Sequence, residues 1–184
     1  MLSEEEKKYS LKLARKTLER YFSGDYEIEV PPKKFKNLWE KRGAFVTLLK
    51  EKHLRGCIGI LEPLYPLYET IQKMAIEAAF KDPRFAPLEA KELPLIEIEI
   101  SVLSPLKKGT LKEVEVGKHG IYLVKGAHRG VLLPQVPVEY GWDKKTFLEH
   151  VCLKAGLPPD CYKSPEAKIY LFTAEVFKES DYFK

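Results

Sequence analysis

The sequence predicts an α+β fold. Two strand–strand–helix–strand units, about 43–104 and 120–177, follow an N-terminal helix over 3–22, all within one domain spanning 1–184. Three observations predict it. The order of hydrophobic patterns occurs twice. The second strand of each unit carries a histidine just ahead of Arg-Gly, as His-Leu-Arg-Gly at 53–56 and His-Arg-Gly at 128–130. Each helix also follows a hairpin rather than a single strand, which argues for mainly antiparallel sheet over a parallel doubly wound one. The repeat is a candidate internal duplication, set against the chance recurrence of a common module.

The elements follow in order. Ser3 and Glu6 form a capping box, and Leu11, Ala14, Leu18, Tyr21 and Phe22 lie on one helical stripe that Gly24 ends. Tyr26, Ile28 and Val30 alternate with glutamates, as in a short strand before Pro31-Pro32. In the first unit, 44–49 and 53–61 are β-rich runs joined by Lys50-Glu51-Lys52. A helix from Pro66 carries Leu67, Ile71, Met74, Ala75 and Ala78 on one face and stops at Asp82-Pro83. Ile96, Ile98, Ile100 and Val102 then alternate with polar residues. In the second unit, 121–124 and 128–133 form a hairpin around Gly126. A helix over about 144–155 carries Phe147, Leu148, Val151, Cys152 and Ala155, Gly156 caps it, and 168–177 reads as one closing strand.

Composition narrows the function classes. The chain has 184 residues with 45% hydrophobic and 32% charged side chains, as expected of a globular domain. A formal net charge of +4 is too mild to name a nucleic-acid binder. No apolar run is long enough to span a membrane, and the N-terminus lacks a signal peptide's apolar stretch, so a cytoplasmic protein is expected. Three irregularly spaced cysteines suggest neither a disulfide framework nor a zinc site. Reduced thiols, no metal and no cofactor are expected.

The segment 53–59 is the main candidate site. On an unbroken strand, Leu54, Gly56, Ile58 and Ile60 share a core face, while His53, Arg55, Cys57 and Gly59 share the other. Arg55 then stands beside the thiol, as an anion clamp or an activator that lowers its pKa. Gly56 and Gly59 would let a ligand approach the backbone or allow a bulge, which would cancel the face argument. The alternative is plain packing of Cys57 as a small hydrophobe, and Val131 at the matching place of the second unit agrees with that. A nucleophilic Cys57 needs a base from elsewhere, since His53 is too far along the strand. His119 and His128 are the candidates, and a pseudo-twofold arrangement would bring His128 and Arg129 toward Arg55 and Cys57. The segment 82–88 reads first as a rigid connector in which Asp82 and Arg84 pair locally; the alternative is that Arg84 adds positive charge to such a cleft. Between 33 and 55 there are eight Lys/Arg against two Glu, with Phe35 and Trp39 among them. This is either a solvated face or a stacking groove for single-stranded nucleic acid, and the first reading is preferred.

Taken together, GAFVTL (43–48), LRGCIG (54–59), DPRF (82–85), IEISVLSP (98–105), GKHGIYL (117–123), RGVLLPQV (129–136), the Trp142-Asp143 and Phe147-Leu148 pairs, and KAGL (154–157) resemble the AMMECR family over about 43–177. The resemblance implies an α+β fold of two intertwined subdomains. It also implies a functional role for LRGCIG and a pathway link to radical SAM and Memo-like proteins, and it supplies no defined reaction. The functional expectation is a ligand-binding or interaction module, for a small molecule or a protein partner, with a cleft around 54–59. An enzyme with Cys57 as nucleophile on an anionic substrate is the alternative.

Overall fold

A computed structural model describes residues 1–183. Helix α1 (Glu4–Phe22) begins as its sequence predicts: Ser3 Oγ accepts from the Glu6 N–H, and the Glu6 carboxylate accepts from the Ser3 N–H. The strands are β1 (Ala44–Lys50), β2 (His53–Ile60), β3 (Ile96–Leu103), β4 (Lys107–Gly109), β5 (Gly120–Lys125), β6 (His128–Leu132), β7 (Lys168–Phe172) and β8 (Ala174–Lys178). The remaining helices are α2 (Leu67–Phe80), α3 (Gln135–Tyr140) and α4 (Lys144–Lys154). This is the expected α+β fold.

The strands form two four-stranded sheets, ordered β2-β1-β3-β8 and β4-β7-β5-β6. Read from the hairpin edge, the two sheets have one design: second hairpin strand, first hairpin strand, closing strand, then a fourth strand. Each fourth strand comes from the other half of the chain. β4 follows β3 in sequence but pairs with β7, and β8 follows β7 but lies beside β3. The chain accordingly divides into a unit of Met1–Leu103 plus the segment from Glu175, and a unit of Ser104–Ala174.

In the first unit, Leu11, Ala14 and Leu18 of α1 and Ile71, Ala75 and Ala78 of α2 share a core with one face of the sheet. That face supplies Ala44, Val46, Leu48, Ile98, Ile100 and Val102. In the second, Phe147, Leu148, Val151 and Cys152 of α4 pack with Ile121, Leu123, Ile169 and Leu171. Gly56 and Gly130 hold equivalent positions under these helices. A Cβ on Gly56 would collide with the Ala78 carbonyl, and one on Gly130 would sit 2.8 Å from the Val151 carbonyl. Both glycines let a helix backbone rest directly on a strand. Both hairpins have two-residue loops, Glu51-Lys52 and Gly126-Ala127. The first loop places both residues at positive φ, 51° and 66°, the left-handed pair a tight hairpin turn needs.

Three expectations fail. Tyr26–Val30 is not a strand. It runs alongside α2, where the Gln72 amide accepts from the Glu29 N–H and donates to the Glu29 carbonyl, so a side chain replaces a ladder. The closing strand 168–177 is two strands divided at Thr173, because β7 and β8 pair in different sheets. The thiols at 152 and 161 are not reduced: Cys152 and Cys161 form a disulfide across nine positions, leaving Cys57 as the free cysteine. Beyond Gly156 the chain doubles back, and the short 3₁₀ turn Cys161–Lys163 returns onto the end of α4. No described helix is long and apolar enough to cross a membrane.

Candidate functional site

β2 is an edge strand, so alternate backbone groups along it point away from β1 and need partners. The register places Cys57 opposite Thr47 and Gly56 opposite Leu48, which keeps Cys57 on the face away from the helices. The pairing then slips. Leu49 lies opposite Leu54, and Arg55 is left as the extra residue of a β-bulge. The bulge puts Leu54 on the face of Cys57 rather than that of Gly56, and it turns Arg55 away from the thiol.

Arg55 is instead committed to Glu92. Its Nε and Nη2 donate to the two Glu92 carboxylate oxygens at 3.0 and 3.1 Å, and Lys50 Nζ adds a bond of 3.0 Å. The Glu89 N–H is a further donor at 2.8 Å. The Arg55 hydrogen bonds lead in holding the Glu92 pKa down, to about 2. The Arg55 guanidinium is therefore bonded to Glu92 and not placed against the Cys57 thiol.

The segment 82–85 lies beside Cys57 instead and caps the strand edge. Asp82 Oδ2 accepts the Cys57 N–H at 3.0 Å, and Arg84 Nη2 reaches the Cys57 carbonyl at 3.4 Å. Arg84 is locked in turn by Asp82: its Nε and Nη2 donate to the two carboxylate oxygens at 3.1 and 2.8 Å, and its own N–H donates to Oδ1 at 3.1 Å. The two partners differ sharply in exposure. The Asp82 side chain is 1% exposed and that of Arg84 is 55% exposed. Hydrogen bonding from Arg84, more than any other influence, holds the Asp82 carboxyl well below the usual range, so it stays a carboxylate.

The thiol is half-buried and accepts a hydrogen bond from Thr47 Oγ1 at 3.1 Å. Burial pushes its pKa up, and the Thr47 bond and the Arg84 charge only partly oppose this. The charges of Asp82 and Glu99 work in the same direction as burial. Cys57 is therefore a neutral thiol at pH 7.

The remaining predicted residues have local roles. The Ala78 carbonyl occupies the space above Gly56, and the Phe45 ring occupies that above Gly59, so both glycines serve packing. His119, His128 and Arg129 belong to the second unit and have partners there. His119 Nδ1 accepts from the Glu115 N–H, His128 Nδ1 lies 3.3 Å from the Ala155 carbonyl, and Arg129 Nη1 donates to the Tyr122 hydroxyl. In the basic stretch, Phe35 is 9% exposed and packs on Tyr9, while Trp39 meets Tyr68 edge-on. Among the described residues, no three His, Cys, Asp or Glu side chains gather as metal ligands. The local Asp82–Arg84 pair expected from the sequence is present, but its hold on the Cys57 backbone was not foreseen, and Glu92 was missed. The signal for Asp82 was its place two residues before Arg84, where one carboxylate can hold the arginine's backbone N–H and its guanidinium together.

Known proteins of the same design exist. Protein MK0488 of Methanopyrus kandleri is 48% identical over 190 residues, covering 98% of this chain and 91% of that protein. Protein TK0174 of Thermococcus kodakarensis is 46% identical, covering 93% and 89%. The crystal structure of protein PH0010 from Pyrococcus horikoshii superposes with a TM-score of 0.89 at 44% identity, covering 96% of this chain and 93% of that one. The AMMECR1 family profile matches residues 11–177, which takes in both sheets, the Cys57 edge and the 82–85 cap, and the chain belongs to that family.

Proposed function

We propose that the protein is a ligand-binding module that recognises a small anionic group at the Cys57–Arg84 edge of β2. The observation that carries this reading is the asymmetry of the Asp82–Arg84 pair. A buried carboxylate fixes the guanidinium through Nε and Nη2, which leaves Nη1 on a half-exposed side chain beside the thiol. A guanidinium already held in plane loses less freedom when it takes up a carboxylate or phosphate oxygen.

Binding is preferred to nucleophilic catalysis because burial holds the thiol protonated at pH 7, and the side chains that bond Cys57 are Thr47, Asp82 and Arg84, none of them an imidazole. A nucleic-acid groove over 33–55 has less support, since Phe35 is packed and Lys50 and Arg55 are spent on Glu92. The matching sheet orders, two-residue hairpin loops and glycines beneath α2 and α4 also support an internal duplication of 43–104 and 120–177, with Arg55-Gly56 corresponding to Arg129-Gly130.

The test is protection of Cys57 from alkylation. Iodoacetamide labelling is followed in the presence of inorganic phosphate, citrate and acetyl phosphate. The reading expects at least one anion to slow labelling severalfold in the native protein and to have no effect in Arg84→Gln. Equal labelling under all conditions in both proteins would contradict it.

A further inference from the structure

The second unit contains a cavity of about 360 Å³, at the low end of the ~300–1,000 Å³ typical of small-molecule sites. The short strand β4 builds one side. Lys107 lies opposite Leu171 in the β4–β7 register, so that ammonium and that leucine share a face, and Lys108 follows. The other side is the turn before β5, which brings Lys118 and His119 to the rim. The floor is apolar: Leu171 and Phe172 are nearly buried, and the Phe172 ring packs down over Gly120, where any Cβ would strike it.

The charge around this cavity is unbalanced. Three lysines face one carboxylate, Glu113, and Glu113 is turned into its own cap, where Oε1 accepts from the Thr110 N–H at 3.1 Å and hydroxyl at 3.0 Å. Lys118 meets only the exposed Glu115, at 4.0 Å, and no ion pair is seen for Lys107 or Lys108 among the described residues. His119 Nδ1 accepts the Glu115 N–H at 3.1 Å, so in the neutral ring the proton sits on Nε2, which makes that nitrogen a donor.

We propose that this cavity binds a phosphate monoester: one phosphate group among Lys107, Lys108, Lys118 and His119, with the ester's compact body over Leu171 and Phe172. Phosphate fits better than carboxylate. The lining offers point charges and no arginine fork, and several separate donors match a dianion with three acceptor oxygens. The cavity is several times larger than a phosphate group, so it has room for the ester's body beside the nearly buried Leu171 and Phe172. Nothing in this argument involves Cys57 or Arg84, so the two sites stand or fall separately.

The test is isothermal titration of the full chain with inorganic phosphate, adenosine monophosphate and glucose 6-phosphate at 0.15 M salt, with amide chemical shifts to locate binding. The expected result is saturable binding of at least one ester, about tenfold tighter than inorganic phosphate, that saturates the shifts at Lys107, His119 and Gly120. Preference for the nucleotide or for the sugar phosphate decides the source of the ester, and either supports the site. Lys107→Gln with Lys118→Gln is expected to weaken binding at this site at least tenfold, and Arg84→Gln to leave the shifts at Lys107, His119 and Gly120 unchanged. Both lysines are exposed, and an unchanged melting curve verifies that the double variant folds. The proposal is overturned by no saturable binding of either ester, by shifts at Lys107, His119 and Gly120 that the lysine variant leaves intact, by an ester no tighter than inorganic phosphate, or by loss of those shifts in Arg84→Gln.

Discussion

At the scale of single residues, the account turns on Cys57, and what surrounds it was only half legible in the sequence. Alternation along 53–60 correctly placed the thiol on the face away from the helices. It paired the thiol with the wrong arginine, because the bulge at Arg55 follows from a register slip against β1 and leaves no mark in a run of eight strand residues. The arginine that matters comes from position 84, brought in by the turn after α2. The native protein should show one titratable thiol, since the other two cysteines are bonded to each other. Burial raises the pKa of that thiol above the ordinary 9.0, so its alkylation rate should still be climbing at pH 9. A rate that levels off below pH 8 would mean an activated thiolate and would revive the nucleophile.

At the scale of elements, the capping box, both hairpins, three helices and the alternating strand 96–103 could all be read from local pattern. The division of 168–177 could not, because its alternation runs on without a break and only the choice of pairing partner separates β7 from β8. Short α3 and β4 were missed for a different reason: at six and three residues they have no period to detect. The glycines under the helices give a sharper expectation. Gly56→Ala and Gly130→Ala each drive a methyl into a helix backbone, and each should cost roughly 1–3 kcal/mol of stability by denaturant unfolding. A neutral outcome at both would remove the close-approach explanation. The disulfide closes a loop across nine positions, so reduction should lower stability by about 2.5 kcal/mol on the chain-entropy estimate. An odd cysteine count hid this pair, and nothing in the spacing told it from two unrelated thiols.

At the scale of the whole molecule, the repeated order of elements made the fold class legible, while the exchange of β4 and β8 between the sheets is a matter of long-range pairing that no local signal carries. Two carboxylates that anchor the first unit have the largest depressions and should contribute most to its acid sensitivity. The Glu92 pKa falls from 4.5 to about 2 on folding, and that of Asp82 is depressed as well. A depressed folded pKa means stability that is complete above the unfolded value and lost as pH falls toward the folded one. Glu92 should therefore contribute on the order of 3 kcal/mol near neutrality that disappears between about pH 5 and pH 2. Glu92→Gln should flatten that part of the stability–pH curve, and an unchanged curve would show that the Arg55–Glu92 pair does not control it. The central claim, that the Asp82-held guanidinium of Arg84 binds an anionic ligand, is tested most directly by native mass spectrometry of the freshly purified protein beside Arg84→Gln. The account predicts an added mass on the native protein, released on denaturation as an anionic small molecule and reduced at least tenfold in the variant. Equal retention by both proteins, or a native protein that carries nothing the variant lacks, would contradict it.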